Sequence, residues 1–200
     1  MFLGDVFGYY YGQEEILSAL RKSGYICLRG NHDEMFLELL NGKRNLDVLC
    51  MRYGSSYRRN LRSISDENIE FLKHCPTQWQ LERDGIRIGA FHGSPDAPME
   101  GRVYPDTDIP CVEAYAKFDY VFLGHTHHNM VRTVGHTTVI NPGSVGQQRD
   151  GKGSSFTVFD TADLTIRHQC FTYDLAPLVN EIEQKDPQNE KLLEVLFRKM

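Results

Sequence analysis

The chain has 200 residues, 40% hydrophobic and 24% charged, with 17 glycines, 8 prolines and a formal net charge of -5, a balance that suits one globular domain with a sizeable core. An acidic surface without basic runs gives no reason to expect nucleic acid or a membrane as a partner, and no stretch approaches the roughly 18 apolar residues of a membrane span. The 5 cysteines are dispersed and form no CxxC pair, so neither a disulfide framework nor a Cys-zinc site is expected, and a reducing, cytoplasmic setting is.

In chain order, Phe2-Leu3 reads as the tail of a buried strand entering the turn Gly4-Asp5-Val6-Phe7-Gly8. It has neither the basic region nor the apolar core of a signal peptide. Residues 14–23 have helical spacing, with Ile16, Leu17 and Leu20 on one face and Gly24 as a stop. Residues 25–28 predict a short apolar strand, then the polar turn Arg29-Gly30-Asn31-His32-Asp33 and a helix through Leu40. Strands alternating with helices argue for parallel pairing in an α/β fold. One helix is expected over 47–61 and another over 66–74, the second with Ser65 as N-cap.

Residues 79–83 and 86–91 flank Asp84-Gly85, a hairpin signal because glycine readily takes positive φ. The turn Phe91-His92-Gly93-Ser94-Pro95 opens a proline-bearing loop ending at Pro110, which suits the first turn of a short helix. A strand over 119–123 delivers Gly124-His125-Thr126-His127, and two further hairpins pair 130–134 with 137–140 and 154–160 with 164–171. Three hairpins imply antiparallel strands added to the parallel set. Near the C-terminus Leu175, Leu178, Val179 and Ile182 make one apolar stripe, suited to packing on the domain or on a second copy of the chain. The whole is read as one domain over 1–200, with 172–200 a helical extension.

Asp5, Asn31-His32, His92 and His125/His127 each follow a strand-like run and sit in a glycine-containing turn. In open α/β sheets such turns converge where ligands bind. A carboxylate, an amide and several imidazoles suit a borderline divalent transition metal better than Mg²⁺ or Ca²⁺.

The ordered segments Gly4-Asp5, Gly30-Asn31-His32-Asp33, His92-Gly93-Ser94-Pro95 and Gly124-His125-Thr126-His127 resemble the signature of the calcineurin-like metallophosphoesterases. Asn141-Pro142-Gly143-Ser144 adds a feature of their small bacterial and archaeal phosphodiesterase branch. The resemblance covers roughly residues 1–160. It implies an α/β/β/α sandwich of two mixed sheets and two divalent metals drawn from Mn, Ni, Fe or Zn. Asp5 would bridge them; Asn31, His92 and His125 would complete one protein shell, and His127 would ligate the other ion. His32 would bind no metal but would hydrogen-bond the phosphoryl group or protonate the leaving group. Two metals about 3.5–4 Å apart polarise a phosphoryl group for in-line attack. The implied substrate is a phosphodiester or small nucleotide rather than a phosphoprotein, since Asp-Arg-Gly does not follow the Gly-Asp segment. The alternative of another class is a non-catalytic interaction protein on the same fold.

The family pattern opens with an Asp-x-His turn some two dozen residues before Gly-Asp, whereas only Met1 to Gly4 precede Asp5 here. The ion beside His127 is therefore expected to be weakly held or absent. A late start codon, a one-metal variant and an inactive deletion product are the three explanations. His74, His136 and His168 are expected in surface or structural roles and His128 as a bystander. Asp33 divides evenly between capping the helix and orienting His32. Tyr9-Tyr10-Tyr11 favours packing over a stacking surface for a base. Asn141, Gly143 and Ser144 are expected to shape the loop beneath the metals, and the loop over 96–105 to border the site.

Overall fold

The structure, a computed structural model, describes residues 1–109 and 111–197. Pro110 lies outside the described residues. The chain divides into two compact units, residues 1–77 with 174–197, and residues 78–173.

The first unit is helical. Its opening stretch forms α1 (Gln13–Ser23), α2 (Asn31–Leu40), α3 (Leu46–Tyr53), α4 (Ser56–Ser63) and α5 (Asp66–His74). Apolar side chains from all five helices and the first loop meet in one core of Phe7, Leu17, Phe36, Leu37, Leu49, Tyr57 and Leu72. Phe7 stacks on Phe36 with centroids 4.0 Å apart, which fixes the loop before α1 against α2. Full burial of each such side chain is worth about 1.5–3 kcal/mol. Ser65 caps α5 as expected, accepting from the Asn68 N–H.

Two sequence expectations change here. The single helix over 47–61 is two helices, broken where Gly54 takes φ 79 and ψ -168. The strand expected over 25–28 reduces to one parallel bridge, Phe2 with Cys27, in which Phe2 N–H donates to Ile26 and Leu28 N–H donates to Phe2.

The second unit carries the sheets. Strands β1 (Gln78–Arg83), β2 (Ile86–Phe91), β3 (Tyr120–Leu123), β4 (Met130–Val134) and β5 (Thr137–Asn141) form a mixed sheet in the order β1-β2-β3-β5-β4. β2, β3 and β5 run parallel, and the two hairpin partners β1 and β4 close the sheet antiparallel. Asp84 and Gly85 both take positive φ in the first hairpin turn, as a twisted two-residue connection requires. A short helix, α6 (Val112–Tyr115), crosses between β2 and β3.

A second sheet of β6 (Ser154–Phe159) and β7 (Ile166–Phe171) is antiparallel, its connection being too short for a crossover. Alternation along β3 shows how the layers stack. Val121 and Leu123 enter a core with Phe91, Tyr115, Phe118, Met130 and Val139, while Tyr120 and Phe122 meet Phe159 of β6 at 4.6 and 5.6 Å. The class is therefore α/β with two sheets, as the sequence implies.

The C-terminal helices α7 (Ala176–Lys185) and α8 (Glu190–Leu196) belong to the first unit. Ile182, Leu192 and Leu196 bury there against Tyr9, Tyr10 and Tyr11. Among the described residues no helix is long and apolar enough to cross a membrane.

Candidate functional site

Each unit supplies its own part of the signature. In the first unit, Asp5 sits at φ 65 between Gly4 and Val6. A left-handed backbone costs a non-glycine residue about 1–3 kcal/mol and persists only where surroundings impose it. Here the Asp33 carboxylate imposes it, accepting the N–H groups of Asp5, Val6 and Phe7 at 2.8, 2.8 and 3.1 Å. Asp33 also accepts the Gly30 N–H at 2.8 Å, which caps α2. Of the two roles open from the sequence, capping is thus present, joined by a hold on the Asp5 turn. Burial first, then the charge of Asp5, pushes the Asp33 carboxyl up to about 6, while the amide donors of Gly30, Phe7 and Asp5 pull it down.

The Asp5 carboxylate faces the start of α2, where its Oδ1 accepts the His32 N–H at 2.9 Å. A helix N-terminus favours a negative group at this point. Asn31, the first residue of α2, is buried beside it. The His32 ring is walled by aromatic groups: Tyr53 meets it edge-on at 4.7 Å and Tyr9 lies tilted at 5.9 Å. The Tyr57 hydroxyl lies 3.1 Å from Nδ1. Burial, with the charges of Asp5 and Asp33, pushes that hydroxyl upward, so it stays protonated. Gly8 borders the ring as well; at its φ of 129 a Cβ would stand 2.9 Å from Nδ1.

In the second unit, His92 follows β2 directly and His125 follows β3 across Gly124, whose N–H donates to the His92 carbonyl at 2.9 Å. The two imidazoles converge, with His125 Nδ1 3.3 Å from His92 Nε2 and the rings nearly perpendicular. Two nitrogens each about 2.1 Å from one ion lie roughly 3.0–3.4 Å apart, so this spacing fits shared coordination. His125 and His127 take φ 59 and 60, strain of the kind that gathers at ligand clamps. His127 Nδ1 stands 2.6 Å from the Gln147 carbonyl. A carbonyl only accepts, so Nδ1 bears the proton and the lone pair falls on Nε2, the usual arrangement for a metal-ligating imidazole.

The Asn141-Pro142-Gly143-Ser144 segment braces this turn. Asn141 Nδ2 donates to the Gly124 carbonyl at 2.8 Å and to Thr126 Oγ1 at 3.1 Å, and its Oδ1 accepts the Gly143 N–H at 2.9 Å. Gly143 must be glycine: it has φ 82, and a Cβ would lie 2.2 Å from Ser155 Oγ. Ser144 Oγ accepts the Gln147 N–H at 3.0 Å and so tethers the residue whose carbonyl meets His127.

The structure brings Asp5, Asn31 and His32 together in one unit, and His92 with His125 in the other, His127 following on the same turn. His74 is exposed beside the Glu70 carbonyl, His136 occupies a hairpin turn, and His168 bonds Thr157. His128 lies edge-on to Tyr104 with Nδ1 at the Thr126 carbonyl. Tyr53 and Tyr57 go unnoticed in the sequence because no local spacing ties them to His32.

Among known proteins, the model of the calcineurin-like phosphoesterase superfamily domain matches residues 1–164. An uncharacterized protein of Methanocaldococcus jannaschii is 29% identical over 198 residues, 90% of this chain and 78% of that one. Solved structures similar in fold include a hypothetical protein of Pyrococcus horikoshii, with TM-score 0.75 and 17% identity over 97% of this chain and 82% of that one. Another is a metallophosphoesterase from Sphaerobacter thermophilus, with TM-score 0.73 and 22% identity over 97% and 85% of the two chains.

Proposed function

This chain belongs to the calcineurin-like phosphoesterase superfamily, and on that premise we propose that it hydrolyses a phosphodiester or small phosphate ester, such as a nucleotide, with divalent metal. In this reading Asp5, Asn31, His92 and His125 would hold one ion, and Asp5 with His127 would hold a second more weakly. Ions held there, drawn from Mn, Ni, Fe or Zn, would supply Lewis-acid polarisation of the phosphoryl oxygen. His32 donates to the phosphate ester, either to a phosphoryl oxygen or to the leaving group. Asp33 keeps Asp5 in its left-handed turn, and the Asn141 segment keeps His125 and His127 in theirs.

The observation carrying this reading is the 3.3 Å approach of His92 Nε2 and His125 Nδ1, the separation two imidazoles have when they share one ion. The test is turnover of bis-p-nitrophenyl phosphate with added Mn²⁺. Turnover is expected, and His32→Ala is expected to lower it at least about a hundredfold. No turnover with Mn²⁺, Ni²⁺ or Zn²⁺ sinks the enzyme reading and leaves an interaction protein on the same fold.

A further inference from the structure

We propose that Tyr57 is the positioning residue of His32: its hydroxyl accepts the Nδ1–H and so commits Nε2 to the phosphate ester. This inference rests on the role given to His32 above.

The hydroxyl is shared between the ring and the backbone of His32. Tyr57 is fully buried in the first unit, and its oxygen lies 3.1 Å from His32 Nδ1 and 3.1 Å from the His32 carbonyl oxygen. The carbonyl can only accept and Nδ1 can do either, so both contacts are hydrogen bonds at once when the hydroxyl proton goes to the carbonyl, a nearer and stronger acceptor than Met35 Sδ at 3.9 Å. The remaining lone pair then faces Nδ1, and Nδ1 must be the donor. That holds for the neutral ring and for the imidazolium alike, so Nε2 is the nitrogen that exchanges a proton with substrate. A ring flip would place a C–H against the Tyr57 oxygen and lose the bond. Tyr53, Tyr9 and Gly8 crowd the ring on other sides, which keeps it from leaving this position. The contact joins α2 to α4, elements 25 residues apart at these positions.

Two measurements decide it. The first needs no turnover: ring ¹⁵N chemical shifts of the metal-free protein above the histidine titration, with His32 assigned through His32→Ala. The Nδ1–H tautomer is expected in the native chain, changing to Nε2–H, the tautomer a free histidine side chain prefers, in Tyr57→Phe. An Nε2–H native ring, or an unchanged ring in Tyr57→Phe, overturns the proposal. The second is kinetic, with Mn²⁺ and bis-p-nitrophenyl phosphate. Tyr57→Phe should lower kcat roughly tenfold with little change in KM, a fraction of what a general acid contributes. In a His32→Ala background the same change should have no effect, because the residue acts only through His32. An equal loss in both backgrounds marks a merely structural role and overturns it. Should the native chain turn nothing over while the tautomer behaves as expected, the phosphoesterase reading fails and the Tyr57–His32 pairing stands.

Discussion

Asp5, His125 and His127 share left-handed backbones near φ 60, and each is held there by groups outside its own turn. Such conformations persist only where neighbours over-determine them, so the bracing residues matter to the site as much as the donors. Gly8 tests this at the scale of one methyl group. Gly8→Ala meets both a φ of 129 and His32 Nδ1 at 2.9 Å, whereas Gly12→Ala meets a φ of 86 with nothing nearer than Glu15 at 3.9 Å. Both should cost about 1–3 kcal/mol in urea unfolding. Only Gly8→Ala should also lower Mn²⁺-dependent turnover, by up to roughly a hundredfold, since small displacements of a reacting group are that costly. Equal turnover in the two variants would show that the His32 ring is not confined as described. From the sequence alone the candidate donors Asp5, Asn31, His92, His125 and His127 are legible, because a polar residue in a glycine turn after an apolar run is a local pattern. Tyr57 is not legible, since an aromatic residue on a helix face reads as core.

At the scale of elements, distant partners set the boundaries. The break between α3 and α4 occurs where a Cβ on Gly54 would lie 2.8 Å from Leu192 of α8. Ser55, next in the chain, donates through its N–H and hydroxyl to Asp186 at the end of α7, which also accepts from the Tyr11 hydroxyl. The apolar periodicity of 47–61 continues through Gly54, which masks the stop that Gly54-Ser55 offers, and the packing of α7 and α8 fixes the break there. The hairpins, by contrast, are read directly, because their turns are chemically local.

One polar clasp lies at the end of the main sheet opposite His92 and His125. Asp119 accepts from Arg87 Nε at 3.2 Å, from Nη2 at 3.0 Å and from its backbone N–H at 2.8 Å, joining β2 to the start of β3. These hydrogen bonds hold the Asp119 carboxyl below the usual aspartate range. A depressed folded value stabilises above the unfolded value of about 3.9 and loses that contribution as pH falls through the folded one. Asp119→Asn should therefore lower Tm near neutral pH, and the gap to the native chain should close below about pH 3.9. Thermal melts across that range check it; a gap independent of pH would assign the loss to packing.

At the scale of the whole molecule, a metal that binds only the folded chain must raise its stability. Adding Mn²⁺ to chelator-treated protein should stabilise it by about 2.7 kcal/mol when the free ion reaches roughly a hundred times Kd. His92→Ala should abolish the gain. A Tm indifferent to Mn²⁺, Ni²⁺ and Zn²⁺ would remove the metal from the reading. The α/β class follows from alternating strands and helices, but the order β1-β2-β3-β5-β4 does not, since pairing depends on which apolar faces meet. Likewise Tyr9, Tyr10 and Tyr11 are read as packing residues, yet their partners on α7 and α8 lie at the far end of the chain.

The sequence by itself determined the family, the candidate donor residues and the turns that present them, because each is written in a few adjacent residues. Tertiary structure decided what holds these residues and their neighbour His32: Asp33 under the Asp5 turn, Asn141 under the His125 turn and Tyr57 behind His32. Those contacts join residues far apart in the chain, where no spacing rule reaches and only packing chooses the partner.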